Sequence, residues 1–270
     1  MKDIPDKSVD MILCDLPYGT TACKWDVIIP FEPLWKQYKR IIKDHGVICL
    51  FGSQPFTSTL ITSNIKMFKE ELIWEKDRAS NFAQAKRRHL KYHENIIIFA
   101  NTKYTYNKQM QIRESPRVKQ MIKNGNLNFR GKESRQEAKE NQTEIVFATH
   151  YEPRSFEVYD PELKNPSTII KYPIVNSNSK EKTIHPTQKP VALFEYLIKT
   201  YTQPGEIVLD NCAGSFTTAV ACDNTNRNWI CIEKEEEYCN IGLTRVNDNR
   251  ERLSLPLLNG INSTMDCESL

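Results

Sequence analysis

Six consecutive residues, Val9-Asp-Met-Ile-Leu-Cys14, constrain this chain more than any other stretch. The run is apolar, shows little helical periodicity and is followed soon by a proline, so it reads as a short buried strand. It stops at Asp15-Leu16-Pro17-Tyr18. A carboxylate, a stiff backbone and an aromatic face are thereby delivered to one edge of a sheet. In open α/β sheets the carboxyl ends of the strands are where ligands bind. Pro17 fixes its own φ and pushes Leu16 toward an extended conformation. Asp15 and a backbone carbonyl can accept hydrogen bonds from an amino group on a planar ring, and Tyr18 can stack on that ring. Read alone, the segment equally describes a Pro turn with Asp15 as a cap and Tyr18 packed over it. Two further segments shift the balance.

The first two-fifths of the chain alternate strand with helix. Phe31 to Lys43 carries Leu34, Trp35, Tyr38, Ile41 and Ile42 on one stripe, with His45-Gly46 as the expected stop. Val47 to Phe51 predicts a second buried strand, Phe56 to Ile65 a helix, and Glu71 to Trp74 and Asn95 to Ala100 further strands. This alternation predicts a largely parallel sheet. Between the last two strands lies a polar loop with Lys76, Arg78, Lys86, Arg87, Arg88 and Lys91. From about Asn101 to Lys182 apolar periodicity fades. Lys103 to Lys139 holds ten Lys or Arg against Glu114, Glu133 and Glu137, although the whole chain carries only +3. Aromatic residues interleave with these charges, a mixture suited to nucleic acid backbone and bases and equally to a solvated loop. Ile145 to Tyr151 and Thr168 to Val175 are strand candidates there.

The α/β pattern returns with His185-Pro-Thr-Gln-Lys-Pro190 before an amphipathic helix, Val191 to Tyr201. Ile207 to Leu209 then predicts a strand ending at Asp210. The loop Asn211-Cys212-Ala213-Gly214-Ser215 opens a helix from Phe216 to Asp223, and a strand from Trp229 to Ile232 is closed by Glu233. A helix follows from Glu235 to about Asn249. Strand, acid, small-residue loop, helix, strand, acid is the arrangement that holds an adenosine-containing ligand. The small residues let it approach the backbone, and Glu233 can accept from ribose hydroxyls. Acids at both strand ends would repel a pyrophosphate. S-adenosylmethionine, with a sulfonium and an ammonium but no phosphate, fits better. The start of the 191–201 helix, with Thr187 and Gln188 nearby, is a place where a carboxylate is welcome. An ordinary βαβ turn and a Pro-bracketed helix cap are the plain alternatives.

The eight cysteines form no Cys-x-x-Cys pair and several lie in strand-like runs, so they read as small buried hydrophobes in a reducing compartment. His89 and His93 lack the glutamate of a zinc-protease helix, and no metal site is expected. The N-terminus is no signal peptide, no apolar run approaches a membrane span, and a cytoplasmic protein is expected.

Together, VDMILCDLPYG at 9–19, LFGSQPF at 50–56, HENIIIF at 93–99, HPTQKP at 185–190, LDNCAGSFTTAVAC at 209–222 and NRNWICIE at 226–233 resemble the amino-group DNA methyltransferases of the beta arrangement. The resemblance covers nearly the whole chain, least of all the middle. It implies an α/β, Rossmann-like S-adenosylmethionine-dependent methyltransferase sheet with an inserted target-recognition region. It implies a catalytic half at 1–100, the basic insertion at 101–183, a cofactor-binding half at 184–250 and a poorly ordered tail at 251–270. The substrate implied is duplex DNA in a bacterial or phage-infected cell, and the Asp-Leu-Pro-Tyr variant resembles members acting on adenine N6. Those acting on cytosine N4 more often carry Ser first. Asp15, Leu16, Pro17 and Tyr18 are the implied catalytic residues. Thr187, Lys189, Asp210, Asn211, Cys212, Ala213, Gly214, Ser215, Thr217 and Glu233 are implied to bind the cofactor, and the six cations of the 76–91 loop to bind DNA. A homodimer is also implied, without an interface signature in the sequence.

Two departures from the family pattern bear on the cofactor. Phe216 stands where a glycine is usual, so a ring is expected to crowd the cofactor or shift the loop. Relatives usually carry a further strand before the Ile4-to-Asp10 segment, so either the start is misassigned or the protein is truncated with a cofactor-side wall absent. A DNA-binding remnant of the fold that takes no cofactor is the competing class. A methyltransferase for protein side-chain amides has the reverse order of halves and leaves the basic insertion unexplained.

Overall fold

Val9–Cys14 (β1) forms a strand buried along its whole length. In the computed structural model of the chain, residues 1–20, 23, 26–112, 163–182 and 187–258 are described. Two compact units are present, Met1–Asn107 with Ser167–Leu270, and Lys108–Pro166. In the smaller, Gln111–Ile112 (β5) pairs antiparallel with Leu163–Lys164 (β6). The strand expected over Ile145 to Tyr151 lies outside the described residues.

The larger unit is built on a seven-stranded sheet. Its strands are β1, Ile42–Gly52 (β2), Phe68–Glu75 (β3), His93–Ala100 (β4), Ile169–Lys171 (β7), Ile207–Asp210 (β8) and Asn228–Cys231 (β9). The order is β7-β3-β4-β2-β1-β8-β9. β4 runs against both its neighbours, and the other pairings are parallel. Helices Phe31–Ile41 (α1) and Phe56–Ser63 (α2) belong to the first half, and Val191–Tyr201 (α3), Thr217–Thr225 (α4) and Glu236–Leu253 (α5) to the second.

Alternation along β1 shows why its sequence is apolar from Met11 onward, Asp10 being buried on Lys43 instead. Met11 and Leu13 pack with Leu193, Phe194, Leu197 and Ile198 of α3 on one face. Ile12 and Cys14 pack with Leu34, Trp35, Tyr38 and Ile41 of α1 on the other. A strand covered on both faces has no polar side to show. β1 leads through α1 to β2 on one flank, whereas β8 leads through α4 to β9 on the other. β1 and β8 are adjacent and parallel, with Ile12 opposite Leu209. The connections therefore diverge between them, which makes their carboxyl ends the topological switch point where such sheets bind ligands.

Several boundaries moved. α1 ends at Ile41 and β2 begins at once, because Ile42 to Gly46 enters the sheet through a register shift instead of a turn. Gly46 is needed there, since a Cβ would lie 2.8 Å from the Asp10 carbonyl oxygen. α5 continues to Leu253, into the segment expected as tail. Residues 259–270 lie outside the described residues. Among the described residues, no helix is long and apolar enough to cross a membrane. Cys14, Cys49 and Cys222 are free and buried, as apolar fillers.

Candidate active site

The turn after β1 is fixed by its own side chains. The Tyr18 hydroxyl donates to Asp15 Oδ1 at 2.5 Å. The Tyr18 ring lies against Phe56, centroids 5.1 Å apart. Leu16 is buried in the core below and anchors the turn. Gly19 takes a φ of +68° just beyond, and its amide and that of Thr20 donate to Asp26 at 2.8 and 2.9 Å. The other oxygen of Asp15, Oδ2, accepts from the Lys189 ammonium, just before α3. Burial pushes the Asp15 carboxyl up; Lys189 pulls it back and the charge of Glu94 adds to the rise.

Glu94 and Lys76 form a pair that no local sequence pattern reveals. Glu94 opens β4 and, because β4 runs backwards, reaches the same sheet edge as Asp15. Its Oε1 accepts from Lys76, which is buried, and its Oε2 lies 3.6 Å from the Lys189 ammonium. Burial works to raise the Glu94 carboxyl, but Lys189 and Lys76 outweigh it and hold it below the usual range. Burial likewise works against the charge on Lys189, and Asp15 and Glu94 more than restore it.

The turn after β8 is held differently. Gly214 adopts a φ of +51° and its amide donates to Glu233 Oε2 at 2.7 Å, so the acid that ends the next strand clamps the loop. Ala213 and Ile232 tie the two strand ends together through backbone bonds, Ala213 to Ile232 at 3.0 Å and Ile232 to Asp210 at 2.9 Å. Asp210 accepts from the Thr218 hydroxyl and from the Cys212 amide, and burial pushes its carboxyl up to about 6. The Tyr38 hydroxyl donates to Asn211 at 2.6 Å. Arg245 of α5, which no local pattern revealed, donates to the Ser215 carbonyl at 3.0 Å and the Thr217 hydroxyl at 2.9 Å.

Phe216 does not crowd this turn. It adopts a φ of +58°, the conformation a glycine would take at no cost, and its ring turns into the cluster of Ala219, Val220 and Val246. Gly242 of α5 makes the room: a Cβ there would fall 2.4 Å from the Phe216 ring. The small-residue requirement has moved from the loop to the helix packed on it.

A small cavity of about 30 Å³ lies between the two turns. Asp15, Thr187, Gln188, Lys189, Asp210 and Gly214 line it, together with Cys212, Ala213, Ser215 and Thr217. His185 and Pro186 lie outside the described residues. The Asp15 carboxylate, held by Tyr18 and Lys189, thus shares a cavity with a small-residue turn. A family model described as DNA methylase, covering N6 and N4 amino methyltransferases, matches residues 9–244.

The chain belongs to the N6/N4 DNA methylase family.

The DNA adenine methyltransferase YhdJ of Escherichia coli (strain K12) is 29% identical over 259 residues, spanning 91% of this chain and 79% of that protein. Among solved structures, M1.HpyAVI bound to SAM superposes with a TM-score of 0.52 at 23% identity, covering 89% of both chains. The cytosine-N4-specific PvuII DNA methyltransferase reaches 0.58 at 15% identity, covering 93% of this chain and 88% of that one. These two structures speak for the fold.

The loop expected to meet DNA in this methylase divides in two. Arg78, Lys86, Arg87 and Arg88 are exposed, and Phe82 beside them is 78% exposed. Lys76 is a correction: its ammonium is buried on Glu94 and is not available to a phosphate. Lys91 is half-buried and donates to the Ser53 hydroxyl, and burial holds its ammonium below the usual lysine range. At the amino ends of β1 and β8, Asp10, His45 and Glu206 approach each other closely enough to share a metal ion. Lys43 already occupies both oxygens of Asp10, at 2.8 and 2.9 Å.

Proposed function

We propose that this methylase transfers a methyl group from S-adenosylmethionine to the N6 amino group of an adenine flipped out of duplex DNA. The observation that supports this most is the cavity shared by Asp15 and the Gly214 turn. Its donor set fits the methyl donor. Asp210 favours a ligand with cationic centres, a glycine turn admits adenosine to the backbone, and the two lysines nearest Asp15 are engaged with carboxylates. When bound, S-adenosylmethionine supplies a methyl carbon on a sulfonium sulfur, which leaves as a neutral thioether.

Everything else falls to the chain. An adenine inside a duplex cannot present N6, so the base is extruded at a cost of a few kcal/mol. Stacking on Tyr18 recovers part of that cost. Asp15 and the Leu16 carbonyl accept the two amino hydrogens, which draws the nitrogen lone pair out of ring conjugation and aims it into the cavity. Alignment in a dry site supplies most of the acceleration. Asp15 is suited to receive a proton because burial raises its carboxyl. Thr187, Asn211, Cys212, Ala213, Ser215 and Thr217 shape the cofactor side, and Gly214 with Glu233 sets its turn. Arg78, Lys86, Arg87 and Arg88 meet phosphates.

The chemistry calls for no metal, so activity should persist in a chelator. A homodimer acting in the cytoplasm on the host's DNA completes the proposal, and sedimentation with and without a duplex measures the first part. Sequencing DNA from expressing cells with detection of modified bases tests the whole. N6-methyladenine at a recurring sequence is expected. N4-methylcytosine in its place would reassign the base, and unmodified DNA would overturn the proposal.

A further inference from the structure

Four charged side chains meet at the carboxyl edge in alternating order: Lys76, Glu94, Lys189, Asp15. Lys76 is on Glu94 Oε1, Lys189 is on Asp15 Oδ2, and 3.6 Å separates Lys189 from Glu94 Oε2. The Phe51 ring lies 5.3 Å from the Lys189 ammonium. Among the described residues, Glu94 Oε2 is a buried oxygen with no hydrogen-bond partner. The Lys189 ammonium at 3.6 Å forms an ion pair with it just longer than a hydrogen bond.

The same contacts pose a difficulty for the reaction. Asp15 must take hydrogens from the target amine, yet Tyr18 holds one of its oxygens and a lysine the other. Lys189 is as buried as its partners, so its ammonium cannot be released to water cheaply. A buried charge that loses its partner is strongly unfavourable. We infer that Glu94 is a positioning residue that receives the Lys189 ammonium when the target base claims Asp15, the gap to Oε2 closing as the contact to Asp15 opens. Glu94 Oε2 is then the longer half of a two-position contact, and Lys76 keeps Glu94 ionised and aimed in both. No bond is made or broken in this exchange. The inference rests on the proposed function, and it assigns Lys189 a place on the target-base side of the cavity in addition to its cofactor side.

The test is methyl transfer from tritiated S-adenosylmethionine to DNA at saturating cofactor, which counts either base. Wild-type turnover reports on the proposed function, and the dependence on Lys189 reports on this inference. Glu94→Gln should lower kcat at least tenfold with cofactor affinity changed less than twofold, and Glu94→Asp should fall between. In a Lys189→Met background the Glu94→Gln change should cost less than twofold, because no ammonium then needs receiving. A pH profile adds a second readout. The charged or titratable groups facing Lys189 are Asp15, Tyr18, Glu94 and, behind it, Lys76. Without the Glu94 charge, Lys189 should lose its proton more easily, so kcat of Glu94→Gln should climb between pH 7 and 9 while that of the wild type does not. Equal losses from Glu94→Gln in both backgrounds would overturn the inference, as would wild-type kcat in the single variant. So would loss of cofactor affinity as the main effect, which would place Glu94 and Lys189 on the cofactor alone.

Discussion

The turns that end β1 and β8 lie side by side on one sheet edge and combine side-chain charge and backbone shape differently. After β1, side-chain charges hold the turn: Asp15 is gripped by Tyr18 and Lys189, and Lys189 in turn by Glu94. After β8, left-handed backbone at Gly214 and Phe216 sets the turn, and the carboxylates of Asp210 and Glu233 accept from its amides. Under the proposed function, the β1 turn rearranges around a base and the β8 turn admits the adenosine. The first turn should therefore be sensitive to charge, the second to volume and conformation.

Asp15→Ala should give the largest effect. Methyl transfer should fall about 10³-fold, as when a group aimed at the reacting atoms is removed. Cofactor binding by calorimetry should be largely kept, since the β8 turn is built without Asp15. Loss of cofactor binding in this variant would dissolve the contrast between the turns. Phe216→Gly tests the other side. Relief of the left-handed conformation returns about 1–2 kcal/mol, while removing a buried aromatic costs about 3–5 kcal/mol. Stability should drop by a net ~2 kcal/mol, read as a lower melting temperature. Cofactor affinity should stay within twofold because the ring does not line the cavity. Tighter binding at unchanged stability would mean that the ring does intrude. A smaller effect belongs to the β1 side. Replacing Lys86, Arg87 and Arg88 together by Ala should flatten the dependence of log DNA affinity on log salt by about 3, near 0.9 per phosphate contact. Lys76→Ala should leave that slope alone and lower stability instead, its charge being buried on Glu94.

The contrast also explains what could be read in advance. β1 and its turn were legible because one strand buried on both faces writes a continuous apolar run and then stops at a proline. The helices α1 and α3 were legible from their stripes, the β8 turn from small residues between two acids. Pairs made far along the chain were not. Nothing around Gly242 says that it houses the ring of Phe216, twenty-six positions earlier, and nothing around Arg245 says that it reaches Ser215 and Thr217. Lys76 looked like a solvated loop cation because its partner Glu94 lies across the β3–β4 hairpin. The end of α1 was misjudged because Gly46 resembles a helix stop while serving a close approach of two strands.

The finest test of the shape-built turn uses Asp210, whose carboxyl burial pushes up to about 6. An unfolded chain releases that proton near 3.9. Between those values the folded state holds more protons than the unfolded one, so stability contributed by Asp210 is full below about pH 4 and is lost as pH rises through about 6. Asp15, also raised, acts in the same direction, and Glu94, held low, acts in the opposite one. The Asp210 share is therefore isolated by subtraction: urea unfolding of the wild type and of Asp210→Asn at pH 4, 5 and 6 should show the wild type losing stability relative to the variant across that window. A donor with cationic centres prefers the ionised carboxylate, so cofactor affinity should rise over the same interval in which the empty protein weakens. Parallel trends, or a difference that does not change with pH, would mean that Asp210 is not the buried acid of the cofactor turn. Opposed trends would show that the fold gives up stability at this carboxylate in order to bind its ligand.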